Sequence, residues 1–226
     1  TNDRGATLHG GPGGFHSVLW RAAGGTSKAF PSLVLSHVSP DGDQGFPGEV
    51  AVTAAYRLAG ETLWLAFTAQ TTAPTVLSLS AHPYFNLGGA AHGDILDHIL
   101  EIASDAFLPT DALQIPTGEI RSVAETPFDF RVPTPIGARI RRSDPQLLHG
   151  QGYDHCFVLA AKGEARVAAR VEHPPSGRTI EIVTTHPGLQ FYSGNQLNGT
   201  VVGRGGVIYR QSAGFALEPQ GFPDAA

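Results

Sequence analysis

The stretch 49–67, EVAVTAAYRLAGETLWLAF, sets the architecture. Val50, Val52, Tyr56 and Leu58 fall on one face of a two-residue period, and Glu49, Thr53 and Arg57 fall on the other. Successive side chains of a strand point to opposite sides, so this alternation predicts a half-buried strand. Ala59–Gly60–Glu61 reads as a turn, and Leu63, Leu65 and Phe67 resume the period, which makes a β-hairpin. A second hairpin reads from 166–171 through Pro174, Pro175, Ser176 and Gly177 to 179–184. A further strand is predicted over 75–81, with Leu77, Leu79 and Ala81 on one face and Ser78, Ser80 and His82 on the other. The segment 108–135, rich in Pro and Thr, reads as an ordered loop crossing a sheet and anchored by Ile120, Phe128 and Phe130. No stretch carries an apolar helical stripe over several turns. With 28 Gly and 17 Pro cutting the sequence into short pieces, the fold class is all-β, an antiparallel β-sandwich or barrel.

A chain of 226 residues of this class reads as a single domain, 1–226. Its formal net charge of −5, with no basic patch to collect phosphates, excludes nucleic acid as a partner. No apolar run is long enough to span a bilayer, so no membrane partner is expected. The lone Cys156 makes no internal disulfide and needs no oxidising compartment, so the expected location is the cytoplasm. The chain starts at Thr1 and has no methionine, so Thr1 is not a translation start.

Four clusters of glycine with polar or aromatic residues stand near strand ends. The first is LHGG at 8–11, followed by Phe15 and Trp20; read alone, His9 is a histidine exposed on a glycine loop. The second is HPYFNLGG at 82–89. His82 titrates near neutrality, which suits proton transfer, but taken singly it reads equally as a structural histidine bonded to a turn. The third is GYDHCF at 152–157. His155, Phe157 and Leu159 share one face, and Asp154 lies on the other with Cys156 and Val158. Asp154 there either accepts two hydroxyls or caps a turn, its commoner role. The fourth joins 188–195, where Gln190 and Tyr192 share a face, to 215–218, where Glu218 lies opposite the apolar Phe215 and Leu217. A carboxyl ending an apolar strand reads either as a partly buried group, whose raised pKa would make it a useful base, or as an ordinary exposed strand end, and Glu218 alone does not decide between them.

His92, Asp94, Asp97 and His98 also lie close together. Their spacing matches no known ligand motif such as HExxH, so they read as a polar surface loop, and no metal site is expected.

In this order, the clusters resemble the aldose 1-epimerase (galactose mutarotase) family. The matching elements are LHGG at 8–11, HPYFNLGG at 82–89, LPTDALQIPTGEIRSVAETPFDFR at 108–131, GYDHCF at 152–157, GLQFYSGNQLNG at 188–199 and FALEPQGFPDA at 215–225. Each is weak alone; together they run along nearly the whole chain. The resemblance implies a large antiparallel β-sandwich with a sugar site in an open cleft. It implies His82 as general acid, Glu218 as general base, and His9, Tyr84, Asp154 and Gln190 as sugar-binding residues. One departure stands out: the family carries further strands before LHGG, with an Asn-Arg pair whose Arg contacts the sugar. Only eight residues precede His9, and Arg4 does not match that pair.

The implied activity is interconversion of the α and β anomers of a free hexose, a small-molecule sugar. One base takes the C1 hydroxyl proton and one acid protonates the ring oxygen, so no metal, nucleotide or redox cofactor is expected. Three alternatives remain open. A hexose-6-phosphate 1-epimerase needs a cationic phosphate pocket, and no basic cluster lies near the motifs. A glycoside hydrolase would pair Asp154 with Glu218 at a defined carboxyl separation. A non-catalytic sugar-binding domain needs neither proton transfer.

Overall fold

The computed structural model describes residues 1–3, 5–25, 31–159 and 163–224. They fall into two compact units, Thr1–Leu77 and Ser78–Ala226. The first is one antiparallel sheet in the order β1-β2-β3-β4, built from β1 (Arg21–Gly25), β2 (Ser32–Ser39), β3 (Val50–Ala59) and β4 (Thr62–Thr71). The β3–β4 hairpin is the one that 49–67 predicts, closed with Ala59 opposite Thr62 around Gly60–Glu61. Gly60 takes a positive φ of 58°, the left-handed conformation that a two-residue turn favours. On the predicted apolar face Val50, Val52 and Ala54 are buried, whereas Leu58 is exposed at the distal end.

The second unit contains β5 (Ile99–Ile102), β6 (Ala106–Leu108), β7 (Arg121–Ser122), β8 (Thr134–Pro135), helix α1 (Pro145–Gly150), β9 (Asp154–Val158) and β10 (Arg166–His173). It continues with β11 (Arg178–Thr184), β12 (Gly188–Tyr192), β13 (Val201–Val202), β14 (Ile208–Tyr209) and β15 (Ala216–Gln220). One sheet runs β15-β12-β9-β6-β7 and the other β11-β10-β5-β8, with β13-β14 as a separate ribbon. Leu100, Ile102 and Val171 from one main sheet share a core with Phe107, Phe157, Leu189, Phe191 and Leu217 from the other. A core shared by two antiparallel sheets is a β-sandwich, as expected for the fold class. The second predicted hairpin is β10–β11. β10 carries a bulge at Ala168 and runs on to His173, which continues the buried row of Ala169 and Val171.

Two sequence expectations need correction. Residues 75–81 form no strand. Their alternation is nonetheless real: Ser80 Oγ donates to the Pro219 carbonyl (2.9 Å) and Ser78 Oγ accepts from Gly221 N–H (3.1 Å). Pro219 has no amide hydrogen to give to a ladder, so serine hydroxyls tie this segment to β15 instead. Within 108–135, Phe128 and Phe130 are buried anchors, but Ile120 is 61% exposed. It precedes β7, the edge strand of its sheet, and fully buried Val123 takes the anchoring place just beyond that strand. The sequence reading also passed over α1. Asp144 caps it by accepting from Gln146 N–H (2.9 Å), Pro145 opens it, and Gln151 closes it in the left-handed conformation. At six residues it is too short to show an apolar stripe. Among the described residues no helix is long and apolar enough to cross a membrane.

Candidate active site

Three neighbouring strands of the five-stranded sheet build the site by register. Phe191 of β12 lies opposite His155 of β9 and Leu217 of β15, and all three are buried in the core. One residue to either side the faces reverse. Tyr192 then lies opposite Asp154, and Gln190 lies opposite Cys156 and Glu218. Asp154, Gln190, Tyr192 and Glu218 therefore share the face turned away from the sandwich core, as their spacing requires.

Glu218 is only 7% exposed, and burial with the charge of Asp154 pushes its pKa up to about 8. His82 Nε2 stands 3.5 Å from Glu218 Oε1. The His82 ring stacks on Tyr84 (centroids 5.0 Å apart), and both rings meet Tyr192 edge-on at 6.1 Å. The Tyr192 hydroxyl accepts from Gln196 N–H (2.8 Å). Burial pushes Tyr192 up to about 12 and raises Tyr84 too, so both phenols stay neutral and serve as packing walls and hydrogen-bonding groups.

Asp154 does not cap a turn with its carboxylate. Its Oδ1 accepts from Gln190 Nε2 (2.8 Å) and its Oδ2 from Gln114 Nε2 (3.1 Å). Two amides thus fix a negatively charged acceptor at the strand start. Gln190 spends its donor on Asp154, while its Oε1 is buried and has no hydrogen-bond partner among the described residues. A buried acceptor left in that state costs about 1–3 kcal/mol, so it favours an incoming hydroxyl donor. Gln114 was missed in the sequence reading. It sits 40 residues from Asp154, in a turn where its own φ is 65°, and only the folded chain brings the two together.

The motif glycines and amides hold this face in place. Gly152 has φ 141°, and a Cβ there would collide with the side chains of Asn195 and Ser193. Those two residues grip the turn before β9: Ser193 Oγ accepts from Tyr153 N–H (3.0 Å), and Asn195 Nδ2 donates to the carbonyls of Gly150 (2.7 Å) and Tyr153 (2.9 Å). The GYDHCF and GLQFYSGN motifs are thus two halves of one joint. Phe85 and Phe215 exchange backbone hydrogen bonds (2.8 and 2.9 Å), and Asn86 Nδ2 donates to Ala213 O (3.1 Å). These bonds set the histidine motif against the start of β15.

Five of the six predicted site residues therefore lie in the second unit: His82, Tyr84, Asp154, Gln190 and Glu218. His9 belongs to the first, in a left-handed backbone conformation (φ 52°), with its pKa lowered by burial and then by His16. Near it, Phe15 and Trp20 pack edge-to-face at 6.0 Å, and Trp20 Nε1 donates to the Phe15 carbonyl (2.9 Å).

The fold places the chain among antiparallel β-sandwich proteins, here with a cluster of carboxyl, amide and aromatic side chains on one sheet face. Within that class it belongs to the aldose 1-epimerase family, whose model matches residues 1–226. It is 46% identical over 220 residues to the galactose mutarotase of Bos taurus, covering 97% of this chain and 61% of that protein. It is 39% identical to the aldose 1-epimerase of Escherichia coli K12, covering 96% and 62%. The crystal structure of galactose 1-epimerase from Lactobacillus acidophilus superposes with a TM-score of 0.85 at 28% identity, over 98% of this chain and 63% of that one. The chain thus spans about three fifths of the length of these relatives.

Proposed function

We propose that this protein interconverts the α and β anomers of a free aldose, with Glu218 as the base and His82 as the acid. The observation that carries the reading is the 3.5 Å pair of a buried, high-pKa carboxyl and an imidazole. The hemiacetal C1 bears both the hydroxyl that loses a proton and the ring oxygen that gains one. A base and an acid this close can therefore serve two oxygens on one carbon. Glu218 carboxylate takes the O1 proton, the O1 electron pair forms the C1 carbonyl, and the C1–ring-oxygen bond breaks as protonated His82 gives its proton to the ring oxygen. After rotation about C1–C2, neutral His82 takes the proton back from the former ring oxygen as that oxygen attacks C1, protonated Glu218 gives its proton to O1, and the ring closes on the other face. The sum leaves enzyme and composition unchanged. Each positioned transfer contributes about 10²–10⁴-fold.

Asp154 and Gln190 suit the holding of sugar hydroxyls. One offers a fixed charged acceptor and the other a buried oxygen with no donor among the described residues. Tyr84 and Tyr192 supply aromatic surface for the apolar face of the ring. His9 is included as a binding residue on the strength of its place in the LHGG motif. The single thiol, Cys156, is buried and unpaired, which suits a reducing compartment, and we assign the protein to the cytoplasm.

Polarimetry of freshly dissolved α-galactose and α-glucose, of the corresponding 6-phosphates and of an alkyl glycoside tests the reading. Accelerated relaxation of the free sugars without glycoside cleavage is expected. A rate for every free aldose equal to buffer, or acceleration confined to the 6-phosphates, would overturn it.

A further inference from the structure

The loop 88–98 and the end of β10 bring together side chains that play no part in the chemistry above. His92 Nε2, Asp97 Oδ2 and His173 Nε2 lie 3.2 Å (His92 to His173), 3.6 Å (His92 to Asp97) and 3.5 Å (His173 to Asp97) apart. We propose that these three residues form a binding site for a divalent transition-metal ion of the zinc type.

The first argument is geometric. Bonds of about 2.0–2.2 Å arranged tetrahedrally put neighbouring ligand atoms about 3.3–3.5 Å apart. Three mutual separations of 3.2–3.6 Å are those of one face of such a tetrahedron. The donor set, two imidazoles and a carboxylate, suits zinc, nickel or copper over magnesium or calcium.

The second argument concerns protons. The Ser176 hydroxyl points its hydrogen at the carbonyls of Leu87 (3.1 Å) and His173 (3.4 Å). With that hydrogen given to the Leu87 carbonyl, Ser176 Oγ accepts from His173 Nδ1–H (2.8 Å), the tautomer that a metal on Nε2 requires. That tautomer leaves His173 Nε2 with a bare lone pair. The residue is 2% exposed, and the polar atoms facing this lone pair are the His92 nitrogen and the Asp97 oxygen. His92 in its Nε2–H form can donate to this lone pair, and a cation in place of that proton would be held by both imidazoles and the Asp97 oxygen together.

The third argument is that the ligands are braced from behind, as metal ligands usually are. His98 is fully buried. Its Nε2 accepts from Leu87 N–H (3.0 Å), so its Nδ1–H donates to Asp97 Oδ1 (2.9 Å) and leaves Oδ2 turned to the site. The His98 and His173 rings stack at 4.6 Å. Gly88 leaves room for the His92 ring, which a Cβ at that position would strike. His92 and Asp97 keep side-chain exposures of 33% and 48%, so an ion has an entry path and a fourth position open to water.

Zinc titration of the metal-stripped protein by calorimetry, with Co²⁺ absorption as a geometric probe, tests the assignment. The comparison protein is His92→Ala, at a partly exposed position; an unchanged metal-free melting temperature checks its fold. Ser176→Ala is the second variant. One equivalent of zinc is expected, with a rise in melting temperature and the visible bands of four-coordinate cobalt. Affinity should fall at least ~10-fold in His92→Ala and about 10–100-fold in Ser176→Ala, which removes the brace on His173. Absence of saturable zinc binding would overturn the proposal. So would binding that His92→Ala leaves intact, because the zinc would then be held by other histidines.

Discussion

Glu218 works under a cost to folding. Its ordinary carboxyl pKa of 4.5 rises to about 8 in the folded chain. Between those values the unfolded chain has lost a proton that the folded chain keeps, so stability falls as pH rises through that window. Integrated, the loss is on the order of 5 kcal/mol above pH 8, relative to a carboxyl with no shift. Glu218→Gln should therefore melt higher than the parent, by a margin that widens from pH 5 to pH 8; calorimetric scans that show no such widening would contradict the burial argument. The same shift sets the rate profile. The active form needs Glu218 ionised and His82 protonated, one proton on the pair, so kcat/KM should be bell-shaped, falling about tenfold per pH unit above a bend near 8 where the pair loses that proton. A bend near 4.5 on the acid side would show an unshifted carboxyl at work. Asp154 calls for a different signature. Held by Gln190 and Gln114, it is proposed to bind ground state and transition state alike, so Asp154→Asn should raise KM more than it lowers kcat. A kcat loss with KM unchanged would move Asp154 into the chemistry.

At the scale of elements, the site is a product of register and joints. One residue of slip in β12 would send Gln190 and Tyr192 to the core and Phe191 to the outer face. The joint at Gly152 is the most exposed to test. Its φ of 141° suits glycine, and a methyl group there meets Asn195 and Ser193. Gly152→Ala should cost about 1–3 kcal/mol, roughly 2–10 °C in melting temperature, and raise KM as Asp154 shifts; an unperturbed Tm would show that the joint is pliable. The metal loop is a joint of another kind, since its histidines and Asp97 tie 88–98 to the end of β10. In the proposed mechanism Glu218 and His82 supply both proton transfers. Stripping the protein with EDTA should thus lower its melting temperature and leave the anomer-exchange rate within about twofold, whereas loss of the rate would put the metal in the mechanism.

For the molecule as a whole, the sequence was most informative where local period and site coincide. The alternation around Gln190, Tyr192 and Glu218 gave the correct face for each, because the two-residue period is a local property. The β3–β4 and β10–β11 hairpins were legible for the same reason. Residues 75–81 misled because their alternation serves hydroxyl bonds to a proline-bearing strand, which no local pattern reveals. Ile120 misled because apolar identity does not tell an edge from a core. The cluster at 92–98 read as a surface loop, although His98 is fully buried. His173, which completes that cluster, lies 81 residues from His92 and meets it only through the fold.

The central claim is that Glu218, set against His82, carries out the proton transfers of anomer exchange. The most direct test is exchange between the α and β forms of galactose at equilibrium, followed by NMR magnetisation transfer in the parent protein and in Glu218→Gln. The amide keeps the shape and a hydrogen bond but cannot take a proton, so kcat should drop about 10²-fold or more with KM nearly unchanged. Turnover in Glu218→Gln within a few-fold of the parent would contradict the account.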